Sequence, residues 1–321
     1  MTAKGHYIED IKENTRLEGL FLVQDKNNGM TRNGKPYLAL NLSDKTGVVK
    51  ARVWDNADQL SLVFSQGDVI RVRANSILYQ GTLQLNINKI EKQDPDKTDL
   101  SDFLPASSLD PENCFAELMD HIATISNPEL IKLIDSIFRD ETISSAFKKA
   151  PAAKSIHHDY IGGLLEHTLN VVRLAVDIAP RYPNVNRDLL LTGAALHDIG
   201  KIQELTYTKN FEYSDEGRLV GHITLGYELI TVKINALPDF PPDLATIVKH
   251  LILSHHGQYD FGSPKRPKTL EAVLLSYLDD IDARMYELTA FIKKEKTDQS
   301  KWTGYHKLLN RYIYTDSFVD D

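Results

Sequence analysis

Residues 191–205 read LTGAALHDIGKIQEL, an apolar run that ends in His197 and Asp198 and continues into Gly200 and Lys201. The apolar residues before the pair predict a buried helix. Adjacent side chains on a helix point about 100° apart, so His197 and Asp198 can grip one ion only where the helix is ending or where the two groups diverge around a metal. We expect Gly200 to supply that ending.

Further imidazoles and carboxylates lie before and after this pair in the chain. They are His167, His222, the pair His255 and His256, and the acids Asp279, Asp280 and Asp282. One histidine alone is more often an ordinary structural residue, but so many in order favour a metal site. Imidazole and carboxylate suit divalent first-row metals. Asp198, with two oxygens, could bridge a pair of ions that activates water and clamps a phosphate.

Composition limits the class of protein. The 321 residues, 42% of them hydrophobic, suffice for two domains. Cys114 is the only cysteine, which excludes an intrachain disulfide and a cysteine-based zinc site. The chain has no signal-peptide pattern and no run of the roughly 20 apolar residues that a membrane helix needs. These features favour a cytoplasmic protein without a membrane partner.

The net charge of −8 is unevenly distributed. Residues 1–92 hold 13 basic and 10 acidic side chains, whereas the remainder holds 24 basic and 35 acidic. From Leu17 to Ile90, five short alternating segments separated by turn signals predict a small β-barrel, with a short helix between the third and fourth strands. Charged residues with Pro95 and Pro105 indicate a linker, and apolar residues recur at helical spacing after Pro111.

The pattern resembles a known superfamily. His167, then His197 and Asp198, then a late aspartate resemble the H…HD…D signature of the HD-domain metal-dependent phosphohydrolases, and the additional histidines resemble its two-metal branch. A barrel followed by HHDYIGGLLEHT, HDIGK and LSHHGQYDFGSPKRPKTLEAVLLSYLDDIDARM is similar to the YhaM family of 3′→5′ exoribonucleases over nearly the whole chain.

That resemblance implies a multidomain α and β fold, in which a five-stranded OB-fold β-barrel precedes an all-α HD domain. The expected domains are the OB-fold at residues 1–92, a linker and helical segment at 93–150, and the HD domain with a C-terminal helical tail at 151–321. The resemblance also implies two divalent ions, with Mn²⁺ preferred.

The resemblance implies a role for each site residue. The first ion would be held by His167, His197, Asp198 and Asp279, and the second by Asp198, His222 and one or both of His255 and His256. Lys201 would contact substrate phosphate, and His158, with His157 as an alternative, would contact phosphate or donate a proton. Helical periodicity alone favours Asp282 as the late ligand, whereas the family pattern favours Asp279; Asp282 would then orient a ligand.

The barrel carries the candidate nucleic-acid-binding residues. Aromatic platforms would be Tyr37, Trp54 and Tyr79, and a basic groove would include Arg32, Lys35, Lys50 and Arg52. In VKARVW, alternation places Lys50 and Arg52 on the face of Trp54. The alternative is that Tyr37 and Trp54 pack against the linker helices while the basic residues only solubilise the barrel.

We therefore expect a manganese-preferring 3′→5′ exoribonuclease that releases nucleoside 5′-monophosphates from single-stranded RNA, with single-stranded DNA as a second candidate substrate. One alternative is an HD phosphodiesterase of cyclic or free nucleotides, although QYDFGSP stands where cyclic-di-GMP enzymes have Gly-Tyr-Pro. Another is a non-catalytic, replication-associated DNA-binding factor with structural ions. Surplus apolar surface on the linker helices and on the aromatic tail from Gln299 favours a homo-oligomer. The tail contains Trp302, Tyr305, Tyr312 and Tyr314.

Overall fold

The computed structural model describes residues 4–31, 33–79, 81–94, 102–103, 109–153, 160–206, 212–297 and 300–319. The chain divides into two compact units. One comprises residues 1–108 and 206–212, and the other comprises residues 109–205 and 213–321. The first unit is a β-barrel and the second is mainly helical.

Five strands close the barrel in the order β1-β2-β3-β5-β4. They are β1 (Arg16–Met30), β2 (Pro36–Asp44), β3 (Gly47–Val53), β4 (Val69–Tyr79) and β5 (Thr82–Lys92). β3 and β5 are parallel, and the other neighbours are antiparallel. Alternate apolar side chains point inward because successive strand residues face opposite sides. The barrel and the short helix α1 (Ala57–Ser61) are both confirmed.

Helices make up most of the second unit. They are α2 (Pro111–Ile122), α3 (Pro128–Phe138), α4 (Glu141–Lys149), α5 (Gly163–Ile178), α6 (Arg187–Leu196), α7 (Lys201–Glu204), α8 (Asp215–Leu219), α9 (His222–Ala236), α10 (Pro242–Ser254) and α11 (Leu270–Glu295). Helices α2, α3 and α4 are capped by the residues that precede them, Asp110, Asn127 and Asp140. Each of these side chains accepts hydrogen bonds from the free backbone N–H groups of the first helical turn. Across the described residues, no helix is long and apolar enough to cross a bilayer.

Helix α6 lies at the centre of this unit. Every residue from Leu189 to Leu196 is buried, and α6 packs against α5 and α11. Gly193 lets α10 and α11 approach α6 closely, because a Cβ there would lie 3.0 Å from Leu275 and 3.1 Å from Leu251. The buried helix holds the following His-Asp pair in a fixed position.

The predicted helical tail is wrong. After α11 ends at Glu295, β8 (Trp302–His306) and β9 (Arg311–Tyr314) form an antiparallel hairpin. The rings of Trp302 and Tyr314 are in contact across the two strands, as are those of Tyr305 and Tyr312. Such cross-strand aromatic pairs stabilise a sheet, and aromatic residues favour strands over helices. A further two-stranded sheet pairs β6 (Leu205–Thr206) with β7 (Glu212–Tyr213).

Candidate functional site

The His-Asp pair lies in the tight turn between α6 and α7. Gly200 is not a left-handed helix cap, because its backbone is right-handed helical, with φ −65° and ψ −16°. It is required for another reason: a Cβ on Gly200 would lie 2.0 Å from the carbonyl oxygen of His222 and 2.5 Å from the amide nitrogen of Gly226. The glycine therefore lets the first turn of α9 pack directly on this turn, which brings His222 towards Asp198.

One group of side chains joins α5, the turn after α6, and α11. His167 Nε2 lies 3.1 Å from His197 Nε2 and 3.2 Å from Asp279 Oδ1. The ligand atoms of these three residues all lie within 4.8 Å of one another. Both histidines are fully buried. Two imidazoles and a carboxylate that converge in this way form a potential metal site.

A second group lies on the other side of Asp198. It comprises Asp198, His222, His255 and His256, and its ligand atoms again lie within 4.8 Å of one another. Asp198 Oδ1 is 3.5 Å from both His222 Nε2 and His255 Nε2. Its other oxygen, Oδ2, is 3.4 Å from His197 Nε2 in the first group. Asp198 thus presents one oxygen to each group.

Each imidazole is anchored through its other ring nitrogen. The Nδ1 partners are Asp282 for His167 at 2.7 Å, the carbonyl of Ala194 for His197 at 2.9 Å, Glu204 for His222 at 3.0 Å, the carbonyl of Ile252 for His255 at 2.7 Å, and the carbonyl of Phe261 for His256 at 2.8 Å. Carbonyl oxygens only accept, so Nδ1 carries the proton in those three rings and the Nε2 lone pair faces the centre. Anchored histidines of this kind are typical of metal sites.

The residues present fit a divalent metal. Asp198 Oδ1, His222 Nε2 and His255 Nε2 are buried, and each lacks a hydrogen-bond partner within the described part of the chain. A buried polar atom without a partner is costly, and a bound cation would satisfy all three. Nitrogen and oxygen donors match the first-row divalent ions.

The electrostatics of the site depend on Asp198 and Lys201. Burial alone would raise the pKa of the Asp198 carboxyl, but the charge of Lys201 holds that pKa well below its usual range. Lys201 Nζ lies 2.5 Å from Asp198 Oδ2. Burial opposes the charge on Lys201, yet Asp198 outweighs it and raises the Lys201 pKa. Both groups are therefore charged at neutral pH.

The two late aspartates contact the two nitrogens of one ring. Asp279 lies against His167 Nε2, whereas Asp282, one helical turn further, binds Nδ1. Burial lowers the pKa of His167, but these carboxylates outweigh burial and raise it to about 9. Asp280 points elsewhere and pairs with Arg284.

Glu204 is a further residue of the site, and the sequence motifs did not indicate it. This buried side chain accepts hydrogen bonds from both the backbone N–H of His222, at 2.9 Å, and His222 Nδ1. Glu204 therefore caps the first turn of α9 and orients the side chain of His222, the first residue of that helix. The available signal was its spacing, three residues after Lys201 on one helical face.

A cavity of ≈ 290 Å³ opens beside the two groups, and its walls include Lys201, His222, His256 and Asp279. Lys201 thus lies where a bound phosphate could reach it. His158 and His157 lie outside the described residues.

On the barrel, the alternation predicted for β3 holds. Val49, Ala51 and Val53 are buried, whereas Lys50 and Trp54 are exposed and Arg52 is half-buried. The Tyr37 and Trp54 rings lie 5.1 Å apart, and the Arg52 guanidinium is 5.8 Å from the Tyr37 ring centre.

The remaining barrel candidates differ in their surroundings. The Trp54 indole N–H donates to Asn86 Oδ1 at 3.2 Å. Tyr79 is exposed, and Lys35 pairs with Asp55. Arg32 lies outside the described residues.

The fold and the two ligand groups define a class of protein: an OB-fold joined to an HD domain. A family model for the HD domain matches residues 164–284, and one for an OB-fold nucleic acid binding domain matches residues 22–93. Proteins named "3'-5' exoribonuclease YhaM" are similar over almost the entire chain.

Three of these relatives illustrate the match. The Geobacillus sp. protein is 32% identical over 98% of this chain and 96% of its own length. The Oceanobacillus iheyensis protein is 34% identical over 95% of each, and the Bacillus subtilis protein is 30% identical over 98% and 99%. This chain belongs to the YhaM family, as its sequence motifs indicated.

Proposed function

We propose that this chain is a metal-dependent 3′→5′ exoribonuclease that hydrolyses single-stranded RNA from its 3′ end and releases nucleoside 5′-monophosphates. The observation that carries the proposal is the convergence of seven ligand side chains into two groups that share Asp198. The names of the full-length relatives support the reaction and its direction. The OB-fold supports a single-stranded substrate, with single-stranded DNA as a second one.

In this proposal, His167, His197, Asp198 and Asp279 would hold one divalent ion. The other would be held by Asp198, His222, His255 and His256, and both ions would be Mn²⁺. The donor set supports a hard to borderline cation, since it combines imidazole with carboxylate and contains no thiolate. When bound, such a pair supplies an activated water and neutralises charge on the reacting phosphate.

Other residues of the chain contact the substrate or orient the metal ligands. Lys201, a buried cation on the cavity wall, stabilises negative charge on the phosphoryl oxygens. Asp282 and Glu204 hold the His167 and His222 rings in their orientations. On the barrel, Trp54 and Tyr37 offer faces on which bases stack, with Lys50 and Arg52 beside them. His158 remains the candidate proton donor, and a homo-oligomer remains the expected assembly.

Labelled single-stranded RNA tests the proposal. With Mn²⁺ present, a 5′-labelled strand should shorten progressively, while a 3′-terminal label should appear at once as a mononucleotide. Asp198→Asn should lose at least 100-fold in rate, because one carboxylate serves both groups. Asp177→Asn, an exposed aspartate near the end of α5, is the matched control. Intact RNA, or a fully active Asp198→Asn variant, would refute the proposal.

A further inference from the structure

A second cavity, of ≈ 300 Å³, adjoins the one beside the metal-ligand groups. Its lining includes Phe261, Tyr277, Arg266, Val273 and His256. His256 and Phe261 also line the first cavity. Whatever occupies the second cavity therefore lies next to whatever reacts in the first.

The aromatic side chains of this second cavity are not part of a core. Phe261 is 61% exposed and Tyr277 is 64% exposed. Exposed aromatic rings around a concave surface are typical of a binding site, because their apolar faces are poorly hydrated and a flat ligand can cover them. Val273 adds an apolar wall, which favours a flat, uncharged group as the occupant.

The lining of this cavity carries the basic side chain of Arg266 and the acidic one of Asp280, which pairs with Arg284. Lys265, Arg266 and Lys268 lie close together in the chain and are all exposed, although this unit is acidic overall. The Arg266 guanidinium lies 5.4 Å from the centre of the Tyr259 ring. It forms no ion pair with any carboxylate in the described ranges. A flat apolar surface beside free positive charge matches a nucleobase attached to a phosphate.

The basic segment, residues 265–268, is held in place at both ends by hydrogen bonds. Ser263 Oγ lies 3.1 Å from the Leu253 carbonyl oxygen and 2.8 Å from that of Lys265. The backbone N–H of Lys268 donates to His250 Nε2 at 2.9 Å. A rim fixed in this way loses little conformational entropy when a ligand binds.

The second cavity is also joined rigidly to the metal-ligand groups. His256 Nδ1 donates to the backbone carbonyl of Phe261 at 2.8 Å. The aromatic residue Phe261 is therefore hydrogen-bonded directly to the candidate metal ligand His256. Because this bond uses the Phe261 backbone, removal of the ring leaves it intact. The stacking surface can thus be altered without releasing His256.

We propose that this second cavity binds the nucleobase of a nucleotide next to the scissile phosphate, by stacking on Phe261 and Tyr277, while Arg266 pairs with a neighbouring phosphate. The inference rests on the proposed exonuclease function and adds a base-binding subsite to it. Stacking accepts every base, so the subsite tolerates any sequence. It holds the strand end in register with the metal-ligand groups after each cleavage.

Abasic substitution tests the subsite in the full-length chain. Without the base at one of the two 3′-terminal positions, the wild type should lose about 5- to 150-fold in kcat/KM. The Phe261→Ala, Tyr277→Ala double variant should lose a similar factor on ordinary RNA and show no further loss on the abasic strand. Tyr182→Ala, at an exposed tyrosine outside the lining of both cavities, should retain the wild-type response. Full abasic sensitivity in the double variant would overturn the inference.

A binding measurement separates the subsite from catalysis. With Mn²⁺, calorimetry should show that the wild type binds AMP more tightly than ribose 5-phosphate, and the double variant should bind both equally. If RNA stays intact while this preference persists, the exonuclease proposal fails and the base-binding subsite stands. If wild type and variant show the same ratio of AMP to ribose 5-phosphate affinity, the subsite is wrong even though RNA is degraded.

Discussion

At the scale of single residues, His167 shows how neighbouring carboxylates divide their roles. Asp279 and Asp282 lie three residues apart on α11, so both face the same side of the helix. Periodicity alone favoured Asp282, because it reports the face of the helix on which a side chain lies and not how far that side chain reaches into the site. The structure places Asp279 at Nε2 and Asp282 at Nδ1. Asp279 is therefore the candidate ligand and Asp282 the candidate orienting group.

The pH dependence of stability should reveal this arrangement in metal-free protein. Asp279 and Asp282 outweigh burial and raise the pKa of His167 to about 9, against an ordinary value of 6.5. Its contribution is thus fully present below pH 6.5 and is lost as pH rises through about 9. Urea unfolding should show that wild type loses stability over this range relative to His167→Gln. Parallel pH profiles for the two proteins would contradict the expectation.

Glu204 should control the affinity of the second ligand group. Without its carboxylate, His222 loses both its ring anchor and its backbone cap, so Glu204→Ala should weaken metal binding there by about 10- to 100-fold. Glu204→Gln keeps an acceptor oxygen and should lose less. Metal titration by calorimetry measures both. Equal affinity in wild type and Glu204→Ala would show that His222 needs no anchor.

At the scale of elements, the turn between α6 and α7 depends on a contact that its own sequence does not reveal. The sequence indicated that a helix ends near Gly200, and α6 does end at Leu196. The reason for the glycine is the backbone of α9, more than 20 residues later. Similarly, Glu204 acts through α9, and the tail forms a hairpin through cross-strand pairs. Local periodicity identified strands and helices, but not these long-range partners.

Gly200→Ala tests the contact between the turn and α9. The added Cβ would meet the His222 carbonyl at 2.0 Å, so α9 must shift, at a cost of about 1–3 kcal/mol in the free energy of unfolding. The shift should also weaken metal binding, since His222 begins α9. Gly226→Ala, on the facing helix, finds its nearest atom at 3.3 Å and should change stability far less. Chemical denaturation and metal titration of both variants provide the comparison.

At the scale of the whole molecule, the two units differ in the chemistry that they offer. All seven metal-ligand candidates belong to the helical unit, and the Tyr37–Trp54 ring pair belongs to the barrel. The sequence predicted both, because histidine order and strand alternation are properties of the chain itself. It also indicated the family through motifs spread over most of its length. Substitutions on one unit should therefore affect binding and metal content separately.

Trp54→Ala tests this separation. Loss of the indole face should weaken binding of single-stranded RNA by about 1–3 kcal/mol and leave the metal content unchanged. Trp302→Ala removes the only other tryptophan, which is also exposed, and should retain wild-type affinity. Fluorescence anisotropy with a labelled oligonucleotide measures both. If neither variant binds more weakly, the aromatic and basic face of the barrel serves only solubility.

Anomalous X-ray scattering at the manganese edge, from crystals grown with Mn²⁺, tests the two-ion site most directly. We expect two peaks: one among His167, His197 and Asp279, and one among His222, His255 and His256, with Asp198 next to both. Asp198→Asn crystals should lose one or both peaks. Wild-type crystals of a protein that degrades RNA, yet without a peak at either group, would contradict the account.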